Sequence, residues 1–126
     1  MRWNCAVWDW NGTLFDDVDI CIYSINELLA RHGLKRLDAE KYREIFGFPV
    51  KDYYKRAGFD FSLISFDELA KEYMEIYQPL SDSCRLRRGA QETVDALKKE
   101  GIESVILSAS RTDYLLRQMK KTGIRG

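Results

Sequence analysis

Asp9-Trp10-Asn11-Gly12-Thr13-Leu14 follows directly on the short apolar run Cys5-Ala6-Val7-Trp8, which places a carboxylate at the tip of a strand. A carboxylate at the rim of a core must be hydrated, paired or metal-bound. Nucleophilic attack and metal ligation are the chemistries that use such a group. Gly12 permits close backbone approach, Thr13 fixes the loop, and N–H groups around the turn can line an anion-binding nest. A second apolar run, Ser104-Val105-Ile106-Leu107, ends in Ser108-Ala109-Ser110, and Ser108 can give a hydroxyl hydrogen to an anion. Phosphate is the natural ligand. A turn-capping Asp is the plain alternative, and it explains neither the Gly-Thr turn nor the second polar strand end.

The elements that carry these residues alternate in period. Residues 4–8 predict a buried strand. Val18, Cys21, Ile22, Ile25, Leu28 and Leu29 then fall at helical spacing, with Asp16 or Asp17 to cap the start and Gly33 to close the end. A second helix is predicted over Asp38–Phe46, stopped by Gly47 and Pro49, and a third over Lys51–Ala57 before Gly58. Ser65-Phe66-Asp67-Glu68 is a capping box, followed by the stripe Phe66, Leu69, Ala70, Tyr73, Tyr77 and Leu80. The spacing of Tyr23, Tyr42, Tyr73 and Tyr77 puts them in the core of this helical block. Gly89–Lys99 predicts a helix closed by Gly101, residues 104–107 a second buried strand, and Arg111–Thr122 a last helix with Gly123 beyond it. Strand, helix, strand, helix is the βαβ pattern of a parallel sheet, and sites in such sheets form outside the carboxyl ends of the strands. Asp9 and Ser108 both stand at such ends.

The 126 residues suit one domain or part of a larger one, and 45% hydrophobic and 13% aromatic content supports a packed core. Twenty basic and twenty acidic residues cancel, so no charge excess points to nucleic acid. The three cysteines, Cys5, Cys21 and Cys84, have no CxxC spacing and predict free thiols in a reducing cytoplasm. No run approaches membrane-spanning length, and Asn4 and Asp9 interrupt any signal-peptide pattern. The expected protein is cytoplasmic, with neither nucleic-acid nor membrane partners.

Val7-Trp8-Asp9-Trp10-Asn11-Gly12-Thr13-Leu14 resembles the first motif of the haloacid dehalogenase superfamily, written DxDGTL, and the order of segments resembles its phosphoglycolate phosphatase and β-phosphoglucomutase branch. The resemblance implies an α/β fold. Residues 1–15 and 87–126 would form a partial Rossmann-like parallel-sheet core, and 16–86 an inserted four-helix cap. It implies a Mg²⁺-dependent phosphatase acting on a small phosphorylated metabolite. Asp9 would attack phosphorus to form an aspartyl-phosphate and would also ligate Mg²⁺, with the Asn11 carbonyl as a second ligand. Ser108, with Ala109, Trp10 and Gly12, would hold the phosphoryl group. The Trp10 side chain itself reads as packing. Phe46–Lys51 falls where related enzymes place a loop that closes over the site, so Lys51, Tyr53 or Lys55 could touch the non-reacting end of an anionic substrate. Arg85, Arg87 and Arg88 could steer anions or form a solvated hinge, and His32 reads as a helix-end residue.

Two departures stand out. The family's phosphatases usually carry an acid/base Asp where this chain has Asn11, and losing such a group typically costs ~10²–10⁴-fold in rate. Slow hydrolysis, an acyl-phosphate substrate, a base from elsewhere or a persistent aspartyl-phosphate would follow. The family's third motif, a Lys, and its fourth, an acidic pair completing the Mg²⁺ site, are expected beyond Gly126; Lys120 and Lys121 read as surface residues. The chain thus reads as the N-terminal part of a longer enzyme, inactive alone, whose exposed first-strand edge favours self-association. The rival is a non-catalytic phosphate- or partner-binding module, which Asn11 favours and Asp9, Gly12, Thr13 and Ser108 oppose. A third possibility is a misfolding-prone fragment with no function of its own.

Overall fold

Eight elements follow one another in the computed structural model, which describes residues 4–125. They are β1 (Cys5–Trp8), α1 (Val18–Arg31), α2 (Ala39–Ile45), α3 (Val50–Ala57), α4 (Phe66–Ser81), α5 (Ala90–Lys99), β2 (Glu103–Ile106) and α6 (Thr112–Thr122). Two compact units result. One takes the chain through Val18 and again from Ser81, and the other is the continuous stretch Asp19–Leu80. Residues 16–18 and 81–86, grouped on sequence grounds with the helical insertion, fall with the first unit.

In the first unit β1 and β2 pair in parallel, from Cys5 with Glu103 to Trp8 with Ile106. The Leu107 N–H extends the ladder to the Trp8 carbonyl at 2.8 Å. Both strands alternate in exposure, which corrects the expectation of strands buried on two faces. Trp8 and Ile106 turn toward Trp10, Leu14, Phe15 and Ala90, whereas Val7, Val105 and Leu107 are 65%, 48% and 72% exposed. The cause is the number of layers. α5 and α6 contribute Ala90, Leu115 and Met119 to one face of the pair, and side chains of the opposite parity meet no such layer among the described residues.

The second unit is built on helical stripes. α1 buries Ser24, Ile25, Leu28 and Leu29 on one face, as a 3.6-residue period requires. The Asp38 carboxylate accepts the Lys41 N–H at 2.7 Å, a cap of α2 that contributes about 1 kcal/mol. Ser65 Oγ accepts the Glu68 N–H at 3.2 Å at the start of α4. α3 ends at Gly58, whose φ of +113° is a conformation other residues adopt only under strain. Leu69 and Ile76 of α4 meet a set of rings, Tyr42, Tyr53, Tyr54 and Phe59, mostly edge to face. Burial pushes the phenols of Tyr53, Tyr54 and Tyr73 well above the ordinary tyrosine range. Tyr23 is the exception among the tyrosines expected inside: it lies off the buried face of α1 and is 51% exposed. His32 does more than end a helix, since its Nε2 lies 2.8 Å from Glu72 Oε2 and ties the end of α1 to α4. No helix among the described residues is long and apolar enough to cross a membrane.

Candidate functional site

The parallel register brings the two polar strand ends together. Trp8 pairs with Ile106, so Asp9 and Ser108 leave the sheet at the same carboxyl edge, on neighbouring strands. Asp9 is exposed and Ser108 half-buried. One Asp9 oxygen, Oδ1, accepts the N–H of Trp10 at 2.8 Å, which fixes the carboxylate against the start of the loop.

Trp10 anchors that loop from below. Its side chain is wholly buried, stacks on Phe15 with ring centres 5.2 Å apart, and donates its indole N–H to Gln118 Oε1 at 2.9 Å. The packing role read for Trp10 is the one its side chain has. Thr13 and Phe15 both direct their N–H groups to the Trp10 carbonyl, at 3.1 and 2.9 Å, and wind a tight turn. Gly12 sits in that turn at φ +73°, where an added Cβ would lie 3.3 Å from Val18 Cγ2. The positive φ favours glycine, and any other residue would also crowd the Val18 methyl.

The backbone of the turn is more occupied than a nest for an incoming anion would be. The Gly12 N–H donates to the Phe15 carbonyl and to Asp17 Oδ1, each at 2.9 Å, and the Trp10 N–H is given to Asp9. Both main-chain donors expected to face a phosphoryl group are therefore already bonded, the Trp10 N–H to the exposed Asp9 carboxylate and the Gly12 N–H to Phe15 and Asp17. Asp17 itself is 1% exposed. Its other oxygen accepts the Asn11 side-chain N–H at 2.9 Å, and Asn11 Oδ1 accepts the Ser110 hydroxyl at 2.7 Å. The Ser110 N–H in turn donates to Ser108 Oγ at 3.1 Å. Ala109, between the two serines, is exposed. Segment 85–87 runs beside the same loop: the Asp16 N–H meets the Arg85 carbonyl at 2.9 Å and the Arg87 N–H the Leu14 carbonyl at 2.7 Å. The Arg87 guanidinium also reaches the Gly12 carbonyl at 3.2 Å, which sets a positive charge beside the turn.

Sequence reasoning missed Asp17 and Ser110 as members of this cluster. The acidic doublet Asp16-Asp17 was a visible signal, but a helix cap accounts for it equally well. Arg87 was noticed only as one of three arginines. Cys84 also belongs to the neighbourhood: burial first, and then the Asp17 and Asp16 charges, hold its thiol above the usual range. Cys5, Cys21 and Cys84 form no disulfide among the described residues.

Lys51 and Tyr53 lie in the second unit. The Lys51 ammonium stands 5.6 Å from the Phe61 ring centre, and Lys55 stands 5.9 Å from the same ring. Tyr53 is 4% exposed within the aromatic core, so its ring has a packing role whatever else it does. Two cavities open in the first unit. One, about 360 Å³, lies at the start of β2 against Gly101–Ser104 and Lys98; the other, about 280 Å³, is lined by Trp8, Leu14, Ile106, Leu115 and Met119 among others. Neither is lined by Asp9 or Ser108.

Asp9 and the Asn11 carbonyl are hard oxygen donors of the type Mg²⁺ takes. Among the described residues no group of three or more His, Cys, Asp or Glu could hold a metal ion. Two oxygen donors would supply only part of such a cation's shell, with water or further groups completing it.

Over residues 6–126 the chain matches a family described as Haloacid dehalogenase-like hydrolase. A curated protein of Caldanaerobacter subterraneus subsp. tengcongensis, provisionally named pyrophosphatase PpaX, is 24% identical over 121 residues, covering 95% of this chain and 53% of that protein. Among solved structures, a predicted phosphoglycolate phosphatase from Haemophilus somnus gives a TM-score of 0.78 at 20% identity, over 98% of this chain and 59% of the other. A mutant of CbbY from Rhodobacter sphaeroides, in complex with xylulose-(1,5)bisphosphate, gives 0.72 at 19% identity, over 97% and 58%. At these identities the two structures speak to the fold alone. The chain spans about half the length of the curated relative it matches.

Proposed function

The chain belongs to the haloacid dehalogenase-like hydrolases, and from that premise we propose that it supplies the nucleophile-bearing part of a Mg²⁺-dependent phosphatase for a small phosphorylated metabolite. One observation carries the reading: an exposed carboxylate, Asp9, shares the carboxyl edge of a parallel strand pair with the Ser108 hydroxyl. An Asp9 oxygen attacks phosphorus in line, the substrate oxygen leaves, and water later hydrolyses the aspartyl-phosphate. Ser108 gives a hydrogen bond to a phosphoryl oxygen, and the Arg87 charge favours an anion nearby. Asp9 and the Asn11 carbonyl would hold Mg²⁺, which when bound neutralises phosphoryl charge.

Asn11 cannot protonate a leaving group, so the reading favours substrates that leave unaided, an acyl phosphate above a simple ester. Residues 19–80 are proposed as the cap that selects substrate, with Lys51 the better candidate contact because Tyr53 is buried. A cytoplasmic setting suits free thiols. The full-length protein with Mg²⁺ is expected to release phosphate from acetyl phosphate faster than from p-nitrophenyl phosphate. Asp9→Asn is expected to reduce both rates to background. Turnover that survives Asp9→Asn refutes the assignment.

A second reading, a phosphate-binding module without turnover, is favoured by the engagement of the Asn11 side chain on both sides. Saturable phosphate binding with neither hydrolysis nor a phosphorylated intermediate selects it. We also propose that the 126-residue chain self-associates through β1, which among the described residues pairs with β2 alone and carries exposed Val7. Light scattering across a concentration series is expected to show mass rising with concentration; a constant monomer mass refutes this.

A further inference from the structure

We propose that Asp17 is a positioning residue for the candidate site, and that residues 11 and 17 form a complementary amide–carboxylate pair in which the one carboxylate the cluster can hold stands at 17. The functional half of this inference rests on the reading of Ser108 as a phosphoryl contact; the pairing itself does not.

A carboxylate 1% exposed is costly unless donors surround it, and those of Asp17 include the Gly12 N–H and the Asn11 amide, each at 2.9 Å. An ionised carboxylate only accepts hydrogen bonds, so it dictates which end of the Asn11 amide faces it. The nitrogen must turn to Asp17, and the oxygen is left for Ser110. Ser110 must then donate its hydroxyl, as it does at 2.7 Å, while its N–H goes to Ser108 Oγ at 3.1 Å. Orientation therefore runs from Asp17 through Asn11 and Ser110 to Ser108. Ser108 Oγ is used as an acceptor in this chain, which keeps its own O–H available as a donor to an anion. The buried charge at 17 aims a hydroxyl on the neighbouring strand end.

The same geometry accounts for an amide at position 11. A carboxylate there would set two acceptor-only groups 2.9 Å apart, with no hydrogen to share and like charges opposed. Exchanging the two residue types restores these bonds. The amide placed at 17 accepts from Gly12 and donates to the carboxylate placed at 11, which accepts from Ser110.

The test is a double-mutant cycle on this chain, Asn11→Asp, Asp17→Asn and N11D/D17N, read by thermal unfolding. N11D alone is expected to lower Tm by roughly 5–10 °C, or to prevent folding, and the exchanged pair to return to within about 2 °C of the starting value. Losses that simply add, or an exchanged pair that stays unfolded, overturn the pairing. The positioning role has its own readout. In ¹H–¹⁵N spectra Asp17→Ala is expected to shift the Ser108–Ser110 amides, across the sheet edge from the substitution; unshifted amides overturn it. In the full-length protein, D17N is expected to lower kcat by about tenfold or more with KM little changed, and the exchanged pair to recover it. Coupled Tm values in a protein without phosphatase turnover would fail the functional reading and leave the pairing standing. Turnover with additive Tm losses would do the reverse.

Discussion

The two units solve the problem of holding polar groups in opposite ways. The helical unit keeps its interior mainly apolar and aromatic, with Ser24 a buried polar exception: Ile25, Leu28, Leu29 and Leu69 are fully buried, and Tyr42, Tyr53, Tyr54 and Tyr77 are packed as rings. The α/β unit has a smaller core, Trp10, Leu14, Phe15 and Ala90, and around it commits buried polar groups, Asp17 and Gln118, to directed hydrogen bonds. Non-directional burial tolerates small displacements, whereas a hydrogen-bonded chain fixes direction. The unit proposed to aim a carboxylate and a hydroxyl is the one that relies more on direction.

That contrast can be broken at its apolar side first. Leu69→Ala, at a fully buried site of the helical core, should cost about 2–5 kcal/mol in urea-induced unfolding, through lost transfer energy and the cavity left behind. A loss below about 1 kcal/mol would show that this core is loosely packed. Trp10→Phe keeps much of the ring volume but removes the indole donor to Gln118, a residue 2% exposed. Its expected cost is about 1–3 kcal/mol by the same measurement. An absence of cost would show that hydrogen-bond direction matters little in the α/β unit.

The smallest effects are the wings of the stability–pH curve, and they differ in sign between the units. Tyr53, Tyr54 and Tyr73 have folded-state values raised by burial, so their contribution is complete below the ordinary tyrosine value near 10 and is lost as pH rises through it. Asp82 is held below the carboxylate range chiefly by its hydrogen bond from Arg117, which approaches to 2.6 Å. Its contribution is present above the ordinary carboxylate value and is lost as pH falls through the lowered one. Tyr73→Phe should therefore flatten the alkaline wing of the unfolding midpoint, and Arg117→Ala the acid wing. Interchanged wings would contradict the assignment.

Local grammar was legible where one segment carries its own instructions. Asp38 and Ser65 cap the helices they precede, Gly58 closes α3, and the Ile25–Leu28–Leu29 stripe faces inward. Asp9 and Ser108 could be placed at strand ends because apolar runs stop there. Alternation within β1 and β2 was harder, since four-residue apolar runs look alike whether one face or two are covered. Tyr23 followed the period of its neighbours loosely enough to be misassigned. The partnership of His32 with Glu72, 40 residues away, has no local signature at all.

The sequence by itself therefore determined the order and type of the elements, the glycine at the turn, and the carboxylate and hydroxyl at the two strand ends. These depend on period, capping and backbone freedom, which act over a few residues. Only the tertiary structure decided that Asp17 turns back to the β1 loop, that Asn11 links it to Ser110, and that Gln118 receives the Trp10 indole. Those outcomes rest on hydrogen-bond direction between segments up to 108 residues apart, and no local pattern of residue types encodes direction at that separation.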